Sequence, residues 1–68
     1  MNSILKKLQK TRTQLVEKAE NRDKYYNNRT EQWQNSQKGV GYEVNTMLIA
    51  DVVEDLDKAI ANTELILK

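Results

Sequence analysis

The 68-residue sequence contains no cysteine and no histidine. Their absence excludes disulfide bonds, zinc fingers, nucleophilic sites of the Cys or Ser-His kind and the usual proton-transfer residue. Metal or acid–base chemistry would have to rest on Asp, Glu, Lys and Tyr. We therefore expect a protein that is not an enzyme and that uses no metal and no cofactor.

The sequence also lacks a long apolar run. The longest extends only from Met47 to Ala50, whereas a membrane-spanning helix needs about 20 residues. The start of the chain, "MNSILKKLQK", has lysines but no apolar segment behind them, unlike a secretory signal. We expect a soluble, cytoplasmic protein with no membrane partner.

Proline is absent, and residues that favour helices are abundant. In the first half of the chain, steps of three and four residues define one helix face, which we call the seam. Its residues are Leu5, Leu8, Arg12, Leu15, Ala19, Arg22, Tyr26, Arg29 and Trp33. The second half gives a matching seam of Tyr42, Asn45, Ile49, Val52, Leu56, Ala59, Thr63 and Ile66, widened by Val53, Ile60 and Leu67.

The stretch "NSQKGVG" interrupts this pattern and holds the only two glycines, Gly39 and Gly41. Asn35 and Ser36 are favourable capping residues, and each glycine weakens a helix by about 1 kcal/mol relative to alanine. We interpret the glycines as the turn of a hairpin. The alternative, a phosphate-binding loop at Lys38, lacks the further glycines and the Lys-Ser/Thr pair of such loops.

We predict an all-α fold made of a single domain, residues 1–68. A first helix covers about residues 3–34 and a second about 38–67, joined by a turn at about 35–38. Two helices of matching length can fold into an antiparallel hairpin. The predicted pairs are Trp33 with Tyr42, Tyr26 with Ile49, Ala19 with Leu56, Leu15 with Ile60 and Leu8 with Leu67.

A hairpin of two helices, without disulfide or metal, buries little apolar surface, and proteins of this size gain a core by self-association. We therefore predict a homo-oligomer, most simply a dimer that forms a four-helix bundle. The surplus apolar residues of the second helix would form its interface. They are Met47, Leu48, Val53, Ile60 and Leu67.

Charge is divided between the two halves of the chain. Residues 1–34 carry a net charge of +4 and residues 35–68 one of −3, so the halves are suited to lie against each other. Three arginines stand in the seam, where an unpaired charge is costly. They either pair with acids, Arg22 with Asp51 or Asp55 and Arg12 near Glu64, or line a polar pocket that receives an anion.

The predicted turn gathers all four aromatic residues of the chain at one end. Tyr, Trp and Arg dominate binding hot spots and can stack on nucleobases. The structural alternative is an aromatic plug in which Arg29 covers Trp33 by a cation–π contact. The candidate binding residues are Tyr25, Tyr26, Arg29, Trp33, Lys38 and Tyr42, together with Arg12 and Arg22.

The stretch "NRTEQWQNSQKGVGY" resembles a turn motif of small, mostly uncharacterised helical-hairpin proteins of phages and bacteria. The motif reads Arg-Ser/Thr-Glu-x-Trp-Gln-x-Ser-x-Lys-Gly-x-x-Tyr. It is met here by Arg29, Thr30, Glu31, Trp33, Gln34, Ser36, Lys38, Gly39 and Tyr42. The resemblance implies a hairpin and a phage or mobile-element origin, and it brings no known activity.

Three functions follow as hypotheses. The first is a phage-encoded interaction protein that oligomerises in the host cytoplasm and binds a host protein to inhibit or modulate it, for example in counter-defence. The second is an oligomer that binds or sequesters a nucleotide or another anion. The third is a hairpin dimer that binds RNA or DNA, for which the basic segment of Lys6, Lys7, Lys10 and Arg12 would contact phosphates.

Overall fold

The computed structural model of the protein describes residues 2–67, which form three helices and no strand. α1 spans Asn2–Asn27, α2 is the short helix Glu31–Gln34, and α3 spans Gln37–Leu67. α1 and α3 pack against each other in a rod whose Cα atoms extend over 52 × 14 × 11 Å. The predicted all-α helical hairpin is confirmed. Over this range, neither long helix contains an apolar stretch that could cross a bilayer.

The first helix ends at Asn27, and the predicted end near residue 34 is wrong. Thr30 has extended backbone angles, φ −63° and ψ 152°, and its side-chain oxygen accepts a hydrogen bond of 3.2 Å from the Trp33 N–H. This is the geometry of a helix N-cap. α1 ends at Asn27, just before this cap, because Asn27 and Asn28 favour turns over helix interiors. α2 therefore begins as a separate helix.

The side chain of Gln34 closes the end of α1. Its Nε2 donates hydrogen bonds to the carbonyl oxygens of Tyr26, at 2.8 Å, and Arg29, at 3.3 Å. Tyr26 lies in the last turn of α1, whose carbonyls have no partner within the helix, and Arg29 lies in the connection that follows. Gln34 therefore ties α2 to both. Ser36 then begins α3 as its N-cap, because its Oγ accepts a hydrogen bond from the Gly39 N–H at 3.2 Å.

Both glycines lie inside α3, so the prediction that they form the turn is wrong. Neither has a positive φ, and only one is needed for packing. Gly39 is buried against α2, and a Cβ added there would overlap the Trp33 carbonyl oxygen and lie 2.8 Å from Gln34 Cα. A Cβ on Gly41 would meet nothing within 4 Å. Gly39 therefore serves a close approach of two backbones, and Gly41 does not.

The α1 seam is largely as predicted, whereas the α3 seam is rotated. Buried and half-buried residues of α1 include every predicted member up to Tyr26, while Arg29 is exposed beyond the helix end. On α3 the covered face steps by three and four residues through Gly39, Tyr42, Thr46, Ile49, Val53, Leu56, Ile60 and Thr63. The predicted seam members Tyr42, Ile49, Leu56, Ala59 and Thr63 are covered, whereas Asn45, Val52 and Ile66 are exposed.

This rotation changes the surface that is left for self-association. Val53 and Ile60, predicted as oligomer contacts, are half-buried on the covered face of α3. Met47 and Leu48 are 61% and 54% exposed, and Leu67 is 38% exposed at the end of the helix. The apolar residues that remain free on α3 are therefore mainly those near its start.

Each residue of α1 pairs with a residue of α3 that is about seven positions earlier in the sequence than predicted. Arg22 contacts Tyr42 and Thr46, whereas the predicted pairing placed it near Asp51 and Asp55. The heptad pattern repeats every seven residues, so a shift by one repeat keeps the same faces together. The early end of α1 determines which register forms. Residues 28–36 make up the connection between the long helices, so they do not take part in the pairing of α1 with α3.

No apolar side chain is fully covered among residues 2–67. The two buried side chains are those of Thr46 and Thr63, each of which donates its hydroxyl to the carbonyl four residues earlier. The apolar residues of the seam are at most half-buried, since each helix covers only one side of the other. The hairpin holds an interface but no enclosed hydrophobic core.

We predict opposite effects of alanine at the two glycines. Gly39→Ala would lower the free energy of unfolding by about 1–3 kcal/mol, because the methyl group overlaps backbone atoms that cannot swing away. Gly41→Ala would raise it by up to about 1 kcal/mol through helix propensity alone. Urea unfolding followed by circular dichroism, at one protein concentration, measures both. Equal effects of the two substitutions would show that α2 does not pack on Gly39.

Candidate functional site

The turn end of the rod brings together all four aromatic rings. The Trp33 ring lies 5.8 Å from Tyr25, 6.0 Å from Tyr26 and 5.7 Å from Tyr42, in edge-to-face contacts. Tyr25 and Tyr42 are 5.3 Å apart. Such contacts stabilise beyond the area that they bury. Trp33 is the centre of this group, and the short helix α2 holds it over the junction of α1 and α3.

Arg29 covers the outer side of the aromatic group. Its guanidinium carbon lies 4.4 Å from the centre of the Trp33 ring and 5.4 Å from that of Tyr25. Its Nη1 also donates a hydrogen bond of 2.6 Å to the Tyr25 hydroxyl. The predicted cation–π contact between Arg29 and Trp33 is present. The exposed Arg29 is thus held in place by rings rather than by an acidic side chain.

Arg22 covers the inner side of the group. Its guanidinium carbon lies 3.8 Å from the centre of the Tyr42 ring. Its Nε donates to the Thr46 hydroxyl at 2.9 Å, and its Nη2 donates to the Tyr42 carbonyl at 3.0 Å. The predicted pairing of Arg22 with Asp51 or Asp55 is therefore wrong, because the register places neutral acceptors opposite it.

We refer to Arg22, Tyr25, Tyr26, Arg29, Trp33 and Tyr42 as the turn-end cluster. Its two positive charges have no carboxylate within ion-pair distance in the part of the chain that the structure describes. The one ion pair found in that part joins Arg12 to Asp57, whereas Glu64 was the predicted partner of Arg12. Hydrogen bonds and rings fix both cluster arginines without neutralising them.

Two of the predicted binding residues stand apart from the cluster. Arg12 lies ten residues before Arg22 in α1, or about 15 Å along the helix, and it is engaged with Asp57. Lys38 is exposed in the first turn of α3, near the cluster but outside its contacts. The structure therefore gathers six of the eight predicted residues, and a binding role for them stays a prediction.

The Glu43 carboxylate raises the pKa of the Tyr26 hydroxyl above its usual value of 10.0. The largest cause is a side-chain hydrogen bond with Glu43, followed by burial and by the negative charge of that carboxylate. Tyr26 is protonated and neutral at physiological pH with or without this shift. The cluster's charge near neutral pH comes from its arginines.

Two residues that shape the cluster were not identified from the sequence. Thr46 receives Arg22, and Gln34 links α2 to the end of α1. A polar residue on an otherwise apolar seam is the signal that could have indicated Thr46, since a buried hydroxyl needs a partner. Gln34 gives no comparable signal, because its role depends on a break in α1 that its own position does not indicate.

The cluster lies at the surface, and none of its rings is fully buried. No pocket is found over residues 2–67, and Tyr25 remains 46% exposed. The arrangement offers half-exposed aromatic area and two fixed guanidinium groups. It can therefore bind negative charge and apolar surface together on the outside of a partner.

Comparison of the chain with protein-family models, curated proteins and solved structures finds no match.

The contact between Arg22 and Thr46 can be tested against a matched threonine. Thr46→Val removes the hydroxyl that accepts from Arg22, and we expect a loss of about 1–2 kcal/mol in the free energy of unfolding. Thr63→Val is the control, because Thr63 is equally buried and bonds only its own helix. We expect that change to stay within about 0.5 kcal/mol. Equal losses in urea unfolding would mean that Arg22 adds nothing at Thr46.

Proposed function

We propose that the protein is a non-enzymatic interaction protein whose turn end binds an acidic segment of a partner protein. One observation carries the proposal. Arg22 and Arg29 are each held against aromatic rings at the same end of the rod, and neither has a carboxylate partner within residues 2–67. A carboxylate from another molecule would supply the ion pair that the hairpin does not provide.

The fixed orientation of the two arginines favours such binding. A guanidinium group binds a carboxylate most strongly through two parallel hydrogen bonds, which require a set direction of the planar group. The ring contacts and the bonds to Tyr25, Tyr42 and Thr46 set that direction in advance. Less side-chain freedom is then lost on binding.

The aromatic rings supply the apolar part of the contact. Tyr25 and Trp33 lie beside Arg29, and Tyr, Trp and Arg are the residue types enriched at binding hot spots. The Cα atoms of the rod span only 14 × 11 Å across its long axis. A short acidic segment fits an end this narrow better than a broad, flat protein surface does.

The biological setting rests on the turn motif. Its resemblance to small phage and bacterial hairpin proteins supports a phage-encoded protein whose partner is a host protein. A protein without catalytic residues can inhibit or modulate a host protein by occluding the surface that it binds. On this proposal the protein acts in the host cytoplasm by occupancy alone.

The same cations and rings favour a second candidate, an anionic ligand with an aromatic base. Arg29 stacked 4.4 Å from Trp33 resembles the way proteins hold nucleobases and phosphates. Binding of nucleic acid along the basic face of α1 is a third candidate. The absence of a pocket in the described residues makes a protein segment the better fit of the three.

A selection of random short peptides on the immobilised protein tests the proposal. We expect the recovered peptides to be enriched in Asp and Glu over the starting library. Trp33 is the only tryptophan of the chain, so its fluorescence then reports binding of a recovered peptide at the turn end. We predict that Arg29→Gln weakens that binding about tenfold, equivalent to about 1.4 kcal/mol.

Lys10→Gln is the matched control, because it removes the same charge from an exposed position of α1 away from the turn end. We expect it to leave the affinity unchanged. Recovery of peptides without acidic enrichment, or equal weakening by both substitutions, would contradict the proposal. A Trp33 response to ATP or to single-stranded RNA, without one to acidic peptides, would support the nucleotide or nucleic-acid candidate instead.

A further inference from the structure

An apolar stripe lies on the side of α3 that faces away from α1. Val44 is two residues from both Tyr42 and Thr46 of the seam, which places it about 200° around the helix from each. The stripe consists of Val40, Val44, Met47, Leu48 and Val52, all of them exposed. Val40, Val44, Leu48 and Val52 are four residues apart, and Met47 is three residues from Val44, so they form one continuous surface. We call this surface the outer stripe.

The outer stripe is bounded along the helix by charge. Residues 37–50 contain only two charged side chains, Lys38 and Glu43. Asp51, Glu54 and Asp55 lie around its last member, Val52, so that the apolar surface stops near the middle of α3. An exposed apolar surface that is continuous and rimmed by polar residues marks an interaction site.

The hairpin as a whole exposes more surface than a compact chain of its mass would. The accessible surface is 5369 Å², whereas a compact monomer of 7.9 kDa would expose about 4,400 Å². The excess of roughly 1,000 Å² compares with the roughly 800 Å² that each partner buries in a standard protein interface. In addition, no apolar side chain is fully covered within residues 2–67.

We infer that the outer stripe binds the outer stripe of a second copy, with the two α3 helices antiparallel about a two-fold axis near residue 46. This arrangement places Val44 of one copy opposite Leu48 of the other, and Val40 opposite Val52. It also places Asp51 and Asp55 opposite residues 37–41 of the second copy, a segment that contains no acidic side chain. Apolar residues meet at the centre, and the acidic segments of the two copies lie at opposite ends.

A parallel arrangement would lose this separation of charge. It would place the acidic segment, residues 51–55, beside itself, and like charges in contact are unfavourable. The α1 helix offers no comparable surface, because its large side chains exposed near the middle are mostly charged or amide groups. The dimer leaves the turn-end cluster uncovered and does not depend on the function proposed for it.

Sedimentation equilibrium tests the dimer with one pair of substitutions. We expect the wild-type protein to have twice the monomer mass of 7.9 kDa at micromolar concentration. We expect Leu48→Lys to give the monomer mass. We expect Leu65→Lys, a change at a more exposed leucine outside the stripe, to remain a dimer. A wild-type monomer, or a Leu48→Lys dimer, would overturn the inference.

Circular dichroism of the same samples shows whether each variant is still helical, and so separates loss of the dimer from loss of the fold. Leu48 is 54% exposed in the single hairpin, so a lysine there would be tolerated by a monomer. If Leu48→Lys unfolds while Leu65→Lys stays helical, the covered surface lies between copies, and the inference is supported. If both variants stay folded with unchanged mass, it is wrong.

Cysteine cross-linking tests the register and needs no change in stability. The chain has no cysteine of its own. Met47→Cys lies next to the two-fold axis and should form a disulfide between copies under mild oxidation. Leu65→Cys lies about 28 Å from the axis at 1.5 Å per residue, and it should form none. Equal cross-linking of both, or none at position 47, would overturn the antiparallel arrangement.

Discussion

The close approach between Gly39 and the backbone of α2 determines the rest of this structure. Because Gly39 has no side chain, the first turn of α3 lies directly against the Trp33 carbonyl and Gln34. The short helix α2 is thereby folded over the junction of the two long helices. Trp33 reaches the tyrosines of both helices, and the pairing of α1 with α3 is fixed from this end. A Cβ at this one position would push α2 outward and open the cluster.

The fold class, the α1 seam and most of the α3 seam follow from the sequence, whereas the register and the step that follows Tyr42 do not. From Tyr42, alternate steps of three and four can begin with either step, and one choice leads to Val52 and the other to Val53. Both are apolar, so hydrophobicity does not decide between them. Gly39 decides between them, because it is buried three residues before Tyr42. Alternating steps then require the next step to be four residues, to Thr46, and lead to Val53. A heptad repeat likewise cannot distinguish registers that differ by seven residues.

The turn-end cluster was identified by residue type, and its contacts were predicted only in part. The hairpin topology alone predicts that the aromatic residues lie together near the turn. The contact of Arg29 with the Trp33 ring is predicted because the two residues are only four positions apart. The partners of Arg22 depend on the register and could not be predicted. Their chemistry matters, because hydroxyl, carbonyl and ring contacts hold a cation without cancelling its charge. A carboxylate partner within the hairpin would have left less charge for another molecule.

The absence of an enclosed core connects the two surfaces discussed above. A hairpin that covers its apolar residues on one side only leaves its stability dependent on what covers the other side. If α3 pairs with a second copy, folding and association become linked, and the stability of the protein rises with its concentration.

An antiparallel dimer would present its two turn ends at opposite ends of a longer rod. Each end could then bind a separate acidic segment, and a partner with two such segments would be bound more tightly than either contact alone allows. The two sets of contacts use different residues of α3, so each can be disrupted without removing the other.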